Sequence, residues 1–300
     1  MEATVVTKFI VPLVLVMMML GMGMSLVTAD FKRVLMYPKA VAIGAFGQMI
    51  LLPLVAFLLV SVMPITPEIA VGVMILAACP GGPGSNLVSM LCKGDAALSV
   101  SLTAVSSLLA GFSIPVITHL ALGTFLGQKA ELDVFKLFDM GVKVCVITLV
   151  PVGLGMLIRK KSPLFADRAQ KPVKIASVFF LILLVIGIAV KERENLLSLL
   201  EQAGVVGLLL CMLTMTLGYS IARILRLDIR QSRAIMIEVG IQNAALALLI
   251  TTVMLDNTIM AIPAAVYSPV MLTISGFLIA YFNFFNREFC QKIAMRCSSS

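Results

Sequence analysis

The chain alternates long apolar runs with short polar segments, a pattern typical of helices that each cross a lipid bilayer. The hydrocarbon core of a bilayer needs about 20 apolar residues per helix. The runs are continuous rather than alternating, so they favour helices over the strands of a membrane barrel. By this criterion the sequence predicts nine spans, near residues 9–29, 40–61, 68–92, 96–119, 137–158, 174–190, 203–222, 233–254 and 258–284.

Two of these runs are interrupted by residues that do not suit an unbroken helix. In the third run, residues 79–86 read Cys-Pro-Gly-Gly-Pro-Gly-Ser-Asn. The prolines remove backbone donors and the glycines lower the cost of irregular backbone. In the eighth run, Glu238 is followed closely by Gly240, Gln242 and Asn243. One broken apolar segment in each half of a chain indicates a secondary transporter with an ion site near the middle of the membrane.

The positions of the two interruptions fit a repeat of five helices. If the first four spans are a repeat without its first helix and the last five are a complete repeat, both interruptions fall on the fourth helix of the unit. A unit that crosses the membrane an odd number of times gives two successive units opposite orientations. The sequence therefore predicts an inverted repeat of four plus five helices.

The composition supports a membrane protein and excludes other classes. The 300 residues are 60% hydrophobic and 13% charged, which is too few charges to cover a soluble domain of this size. The net charge of +8 comes from short predicted loops rather than from one basic patch, so no nucleic-acid partner is expected. The six cysteines show no CxxC spacing, which favours buried free thiols over a disulfide framework or a metal site.

Lys and Arg are concentrated in alternate loops. The largest groups lie in residues 159–174 and 223–233, and further ones follow in the C-terminal tail. Because cytoplasmic loops carry the excess of positive charge, the N-terminus is predicted outside and the C-terminus in the cytoplasm. The bilayer that fits this pattern is the cell (inner) membrane, crossed several times, and the N-terminal run is predicted to be the first span rather than a cleaved signal peptide.

Glu238 is the residue with the clearest functional implication. A carboxylate at membrane depth costs about 3 kcal/mol, so it usually has both a partner and a role. The other polar residues near the interruptions offer only oxygen ligands, which suit a hard monovalent cation such as Na+. A proton carried by Glu238 remains an alternative. The oxygen ligands are Ser85, Asn86, Ser99, Thr103, Glu238 and Gln242, with carbonyls freed by the interruptions.

Other polar residues in the spans are compatible with structural roles as well as with ion binding. Ser99 and Thr103 lie one turn apart on one helix face, where hydrogen bonding between helices is also common. Gln48, in the middle of the second span, is equally compatible with an ion ligand and with an interhelical hydrogen bond. Asp139 and Lys143, four residues apart, are expected to pair at the membrane interface, and His119 is expected to be a polar tip at the outer end of a span.

The first interruption also predicts an anion site. Ser85 and Asn86 are residue types that favour helix N-termini, so they are expected to begin a new half-helix. The N-terminal amides of such a half-helix point into the membrane centre, where they can bind an anion.

Three segments of the chain resemble the bile acid:sodium symporter family. They are the motif at 79–86, the motif Lys-Gly-Asp-Ala-Ala-Leu-Ser-Val-Ser-Leu-Thr at 93–103, and the motif Glu-Val-Gly-Ile-Gln-Asn at 238–243. The motifs are long and occur in the family's order and spacing, and the resemblance covers nearly the whole chain.

The resemblance implies an all-α fold in which a core domain with two crossed, broken helices moves against a panel domain. The core would comprise about 40–119 and 203–284, and the panel about 9–29 and 137–190. Some relatives have ten helices, and this chain resembles the nine-helix members that lack the first.

The resemblance also implies two co-transported Na+ ions and no other cofactor. The first ion would be held by Ser85, Asn86, Ser99, Thr103 and Glu238. The second would be held by Gln48, Glu238, Gln242 and backbone carbonyls near Val239 and Ile241.

The substrate implied by the resemblance is an organic anion, such as a bile acid or a small carboxylate of the pantothenate type. It would lie near Pro83, Gly84, Asn243 and Thr273. Two departures bear on its identity: Pro83-Gly84 stands where relatives often carry small or hydroxyl residues, and Leu272-Thr273 stands where bacterial relatives can carry His-Asn. The expected activity is Na+-coupled symport by alternating access, with proton-coupled or uncoupled carriage as the alternative. A channel or an enzyme is disfavoured, because the chain has no filter-like motif and a single histidine.

Overall fold

The protein is described by a computed structural model that covers residues 3–27, 36–82, 84–127 and 134–285. Within these ranges the regular structure is helical, and the only β-type pairing is one isolated bridge between Gly81 and Gln242. The predicted all-helical class is therefore confirmed for the described part of the chain.

The helices follow the apolar runs, and two of the runs are divided. The helices are α1 (Ala3–Gly23), α2 (Pro38–Val62), α3 (Pro67–Ala78), α4 (Ser85–Leu91), α5 (Ala96–Leu126), α6 (Val134–Lys161), α7 (Pro163–Lys191), α8 (Leu196–Ile224), α9 (Ile229–Gly240), α10 (Ala244–Met254) and α11 (Ile262–Ala280). Wider π-helical turns occur at Gly47–Leu51 inside α2, at Ile250–Met254 at the end of α10, and at Tyr281–Phe285 after α11.

Five helices in the described residues are long and apolar enough to cross a membrane: α2, α5, α6, α8 and α11 with its extension to Phe284. Shorter apolar helices are formed by residues 9–23, by α3 and by α10. Large apolar side chains are exposed along many of these helices, as a lipid environment requires. The chain is a polytopic membrane protein.

Both predicted interruptions are present. The first separates α3 from α4, and the second separates α9 from α10. Residues 234–252 around the second interruption are all buried, so this segment passes through the centre of the helix bundle. Helix α9 packs against α8, α4 and α5, and α10 packs against α1 and α11.

The loop predicted between the fifth and sixth spans, at residues 159–173, is much shorter in the structure. Helix α6 continues to Lys161 and α7 begins at Pro163, so the connection is Ser162 alone. The basic residues of this segment therefore lie in helices. Lys and Arg are good helix formers and are favourable in a last turn, and proline is favourable in a first turn, so the polar stretch extends the helices instead of ending them.

Helix α5 is also longer than predicted, so His119 lies inside the helix rather than at its end. Pro115 is accommodated within α5, and the helix stops at Gly127, whose φ of 63° is the left-handed conformation that favours glycine. The predicted Asp139–Lys143 pair is confirmed, with the two charged groups 2.5 Å apart on the exposed surface of α6.

Helix α1 packs against α6 and α7, and its contact with α6 is a backbone contact. A Cβ atom on Gly23 would lie 2.1 Å from the carbonyl oxygen of Val152, and one on Gly155 would lie 2.4 Å from that of Leu20. Small residues allow such close approach between membrane helices, where dispersion contacts take the place of the hydrophobic effect.

Candidate ion-binding site at the helix crossing

The two interruptions face each other and are joined by backbone hydrogen bonds. The amide of Gly82 donates to the carbonyl of Ile241, and the amide of Asn243 donates to the carbonyl of Pro80, both at 3.0 Å. Backbone groups left free by a broken helix have no water to bind at membrane depth, so they must find protein partners. Each interruption supplies partners for the other.

Glu238 lies beside this crossing, at the end of α9, and is buried. Ser99 donates to one carboxylate oxygen at 2.8 Å and Thr103 donates to the other at 2.5 Å. Ser85 is buried nearby at the start of α4, and its hydroxyl donates to the carbonyl of Gly82. The carboxylate thus lies beside neutral hydroxyl groups, and it forms no salt bridge with a Lys or Arg among the described residues.

Gly81 makes room for the carboxylate. A Cβ atom at this position would lie 2.0 Å from Oε1 of Glu238, far inside van der Waals contact. The glycine is therefore required by the close approach of the acid and not only by the bend of the chain.

Asn86 completes the first oxygen cluster. Its Oδ1 accepts hydrogen bonds from Ser99 at 3.0 Å and from Thr103 at 3.3 Å. The structure thus joins four of the five side chains predicted for the first ion by hydrogen bonds, and the fifth, Ser85, is the residue before Asn86 at the start of α4. Their positions come from α4, α5 and α9, which places residues that are over 130 positions apart in sequence around one point.

The predicted capping roles at the start of α4 need correction. The N-cap residue is Gly84, and Ser85 is the first helical residue. The Ser85 hydroxyl donates back to the carbonyl of Gly82 at 2.8 Å, which fixes the turn before the helix. Asn86 reaches across to α5 instead of capping its own helix.

A second polar cluster is centred on Gln48 and Gln242, both buried. The Gln48 amide donates to the Cys79 carbonyl at 2.9 Å and to Oε1 of Gln242 at 2.7 Å, and the Gln242 amide donates to the Val239 carbonyl at 2.7 Å. The interhelical hydrogen bond considered for Gln48 is therefore present. Its Oε1 atom is buried without a hydrogen-bond partner, so an acceptor is left available for a cation. The carbonyl of Ile241, by contrast, already accepts from Gly82.

The residues predicted to bind the substrate differ in their exposure: Asn243 is buried, whereas Gly84 and Thr273 are exposed. Asn243 is buried at the crossing, where its Oδ1 accepts from the amide of Leu246 at 3.1 Å and its Nδ2 has no partner. Gly84 is exposed at the start of α4. Thr273 is exposed on α11 and donates to Pro269 of its own helix at 2.8 Å. Pro83 lies outside the described residues.

Two features of the site were missed by the sequence analysis. The π turn at Gly47–Leu51 sets the position of Gln48, and such turns often occur at functional sites. Tyr267 of α11 is fully buried and donates its hydroxyl to the carbonyl of Gly240 at 2.8 Å. A tyrosine inside an apolar run is the available sequence signal, because a buried phenol hydroxyl needs a partner.

The donor set suits a hard monovalent cation. In the part of the chain that the structure describes, no three or more His, Cys, Asp or Glu residues are grouped so that they would hold a metal ion. The described cysteines, Cys79, Cys92, Cys145 and Cys211, are free thiols. What the crossing offers is one carboxylate with hydroxyl, amide and carbonyl oxygens, which are the ligand types that hard cations prefer.

The sequence is similar to those of known sodium-dependent transporters. The sequence profile of the Sodium Bile acid symporter family matches residues 12–199. An uncharacterized sodium-dependent transporter of Bacillus subtilis, YocS, is 33% identical over 87% of this chain and 79% of its own length. The probable sodium/metabolite cotransporter BASS1 of Arabidopsis thaliana chloroplasts is 32% identical over 83% of this chain. The human sodium/bile acid cotransporter 4 is 31% identical over 76% of it.

The chain spans 61% of the length of the Arabidopsis protein and 52% of the human one. The family match covers more than half of the chain, and the Bacillus match covers most of both sequences. The related proteins are sodium-dependent transporters and not enzymes. The chain therefore belongs to the Sodium Bile acid symporter family.

Proposed function

We propose that this protein is a Na+-coupled secondary symporter of an organic anion that works by alternating access. The observation that carries the proposal is the convergence of Glu238 with neutral oxygen groups at the crossing of two broken helices. A buried carboxylate surrounded by hydroxyl groups lacks a counter-charge, and a monovalent cation supplies one.

The first Na+ would be held by Glu238 and the oxygens that already converge on it. Ser99 and Thr103 now donate to the carboxylate, and their oxygen atoms retain lone pairs that can turn toward a cation. Oδ1 of Asn86 lies next to the same hydroxyls. Ser85 adds a fourth neutral oxygen from the start of α4.

The second Na+ would lie toward Gln48. The support is the unpartnered, buried Oε1 of Gln48, with Oε1 of Gln242 and the Val239 carbonyl in the same cluster. The Ile241 carbonyl accepts from Gly82, but a carbonyl oxygen has two lone pairs and can bind a cation as well. Among the described side chains of the two clusters, Glu238 alone carries a formal negative charge, and it would serve both ions.

The substrate would be an anion because two cations against one carboxylate leave a net positive charge. Residues 79–86 and 238–250 contain no Lys or Arg, so side-chain cations of these segments do not bind it. The unpartnered Nδ2 of Asn243 is the proposed donor, and the positive end of the α10 dipole would favour an anion beside it. Pro83, Gly84 and Thr273 complete the proposed substrate region, and the substrate class is a bile acid or a small carboxylate of the pantothenate type.

The proposed architecture has nine crossings in two inverted repeats of four and five helices. The core would comprise residues of about 40–119 and 203–284, with the panel at about 9–29 and 137–190. The packing of α1 against α6 and α7 supports a panel of these three helices. The panel would rock against the core in the cell (inner) membrane, with the N-terminus outside and the C-terminus in the cytoplasm.

Uptake by proteoliposomes tests the proposal. Purified protein would be reconstituted, and uptake of labelled taurocholate and labelled pantothenate measured with an inward gradient of Na+ or of K+ at the same pH. We expect uptake of at least one acid with Na+ alone. A proton gradient imposed without Na+ tests the proton-coupled alternative. Equal uptake in Na+ and K+ would contradict the proposed coupling.

A further inference from the structure

The carbonyl of Gly240 is the last one of α9, and it lies between the two carbonyls proposed as ligands for the second Na+. A helix leaves its last four carbonyls without helical partners, and these groups must be satisfied in the membrane. The hydrogen bond that the Gly240 carbonyl makes therefore contributes to the orientation of the adjoining peptide groups of Val239 and Ile241.

Each carbonyl in this segment has its own donor. The Val239 carbonyl accepts from the Gln242 side chain, and the Ile241 carbonyl accepts from the amide of Gly82. The Gly240 carbonyl accepts from the Tyr267 hydroxyl at 2.8 Å, with the Cys211 thiol as a second, longer partner at 3.6 Å. Of these three carbonyls, the one of Gly240 accepts from a side chain of α11, whereas the one of Ile241 accepts from Gly82 at the crossing.

The surroundings of Tyr267 hold this hydrogen bond firmly. The side chain is fully buried, and its ring packs 3.5 Å from the position of a Cβ on Gly207 of α8. Gly240 itself is enclosed, since a Cβ there would lie 2.1 Å from the side chain of Met215. The peptide group of Gly240 is therefore closely packed, and the Tyr267 hydroxyl fixes the direction of its carbonyl.

At the interruption between α3 and α4, a side chain from a neighbouring helix likewise binds a backbone carbonyl. Gln48 donates to the carbonyl of Cys79, the residue that follows the last one of α3. One side-chain donor from a neighbouring helix thus fixes a carbonyl at the end of each broken helix, although one donor is an amide and the other a phenol.

We infer that Tyr267 is a positioning residue for Na+ binding, which takes the Gly240 carbonyl out of the ligand set and aims the Val239 and Ile241 carbonyls at the second ion. The inference rests on the proposed function, because it concerns the affinity of the protein for Na+. Tyr267 does not touch the ion and acts through the backbone that it holds.

The test is a Na+ titration of the purified protein in detergent, with the melting temperature measured at each Na+ concentration. It is carried out on the wild type and on Tyr267→Phe. The variant keeps the ring and loses only the hydroxyl. We expect the Na+ concentration for half-maximal stabilisation to rise about tenfold, the effect of one well-formed hydrogen bond, with lower cooperativity between the ions. The melting temperature should also fall without Na+, because the Gly240 carbonyl keeps only its longer Cys211 partner, but it should fall further with Na+ present, and discrimination between Na+ and Li+ should weaken.

Two further variants sharpen the result. Ser268→Ala removes a buried hydroxyl from the next position of α11 that bonds only within its own helix, and it should leave the titration unchanged. Cys211→Ala removes the longer partner of the same carbonyl and should raise the half-maximal concentration about twofold. This variant tests the inference even if Tyr267→Phe does not fold.

Unchanged Na+ affinity in both Tyr267→Phe and Cys211→Ala would overturn the inference. A fall in stability that is the same with and without Na+ would also overturn it, because it would show a role in packing alone. A wild-type protein with no response to Na+ would instead contradict the proposed function, so the two failures are distinguishable.

Discussion

At the scale of single residues, the contact between Gly81 and Glu238 carries the tightest constraint in the site. Gly81→Ala would place a methyl group where the carboxylate now lies. We expect it to destabilise the protein by about 1–3 kcal/mol and to reduce Na+-dependent uptake more than tenfold, because the acid must move away from Ser99 and Thr103. Thermal denaturation and uptake assays measure the two effects.

The control is Gly276→Ala on α11, where a new Cβ meets nothing within 4 Å. It should retain the stability and transport of the wild type. Wild-type Na+ affinity in Gly81→Ala would show that the position of the carboxylate does not matter.

Replacing the acid itself separates charge from shape. Glu238→Gln keeps the volume of the side chain and removes the charge proposed to balance two cations. We expect it to fold and to lose stabilisation by Na+, with uptake no longer dependent on the Na+ gradient. The control is Glu201→Gln on the exposed surface of α8, which should behave as wild type. Stabilisation of Glu238→Gln by Na+ at the wild-type concentration would refute the role of the acid.

The sequence was informative about residues whose type is costly in a membrane. Glu238 stands out because no apolar helix tolerates an unpartnered carboxylate, and the contacts of Ser99, Thr103 and Asn86 with it agree with the grouping predicted from their motifs. Tyr267 could not be assigned in the same way, because its partner is a backbone carbonyl that has no sequence signature.

At the scale of elements, α4 depends on its neighbours. It has seven residues, and so short a helix is not stable alone. Its C-terminal end is held by Asn283, which donates to the Leu91 carbonyl at 2.8 Å, and by Arg233, which donates to that of Cys92 at 3.4 Å. The Arg233 guanidinium also lies 4.2 Å from the centre of the Phe282 ring.

Removing one of these attachments should be felt at the other end of α4, where Ser85 and Asn86 lie. We expect Asn283→Ala to weaken Na+ binding about threefold to tenfold in a thermal-shift titration, because the half-helix loses part of its anchor. Asn195→Ala, which changes an exposed residue without a capping hydrogen bond, should have no effect. If the two variants titrate alike, the anchor does not influence the ion site.

Helix existence was predictable, whereas helix ends were not. Hydrophobic runs identified the membrane helices, but the polar ends of α6 and α7 continue as helix to within one residue of each other, since Lys and Arg favour helix as much as loop. The π turn that presents Gln48 had no signal either, because its residues are as apolar as those of the helix around it.

At the scale of the whole molecule, the proposed orientation can be tested directly. In a variant without native cysteines, Asn195→Cys lies in the connection between α7 and α8, and Ser162→Cys lies between α6 and α7. With the N-terminus outside, a membrane-impermeant thiol reagent added to intact cells should label position 195 and not position 162. The reverse pattern would contradict the orientation derived from the basic residues.

The arrangement of the helices could be predicted only through resemblance to a family. Spans that are apolar on all sides do not reveal which face meets protein and which meets lipid. The contact of α1 with α6, for example, depends on Gly23 and Gly155. The sequence does not distinguish these two glycines from others, such as Gly153, where an added Cβ would meet no atom within 4 Å.

The pairing of Gly82 with Ile241 and of Asn243 with Pro80 has a consequence for biogenesis. The two partners lie about half a chain apart, so during synthesis the first broken segment enters the membrane long before the second exists. Until then, its open backbone must be sheltered by water, by lipid headgroups or by the insertion machinery. The ion site is therefore among the last parts of the molecule to assemble. A nascent chain that stops before α9 keeps unpaired backbone groups in its first broken segment, and quality control can recognise them.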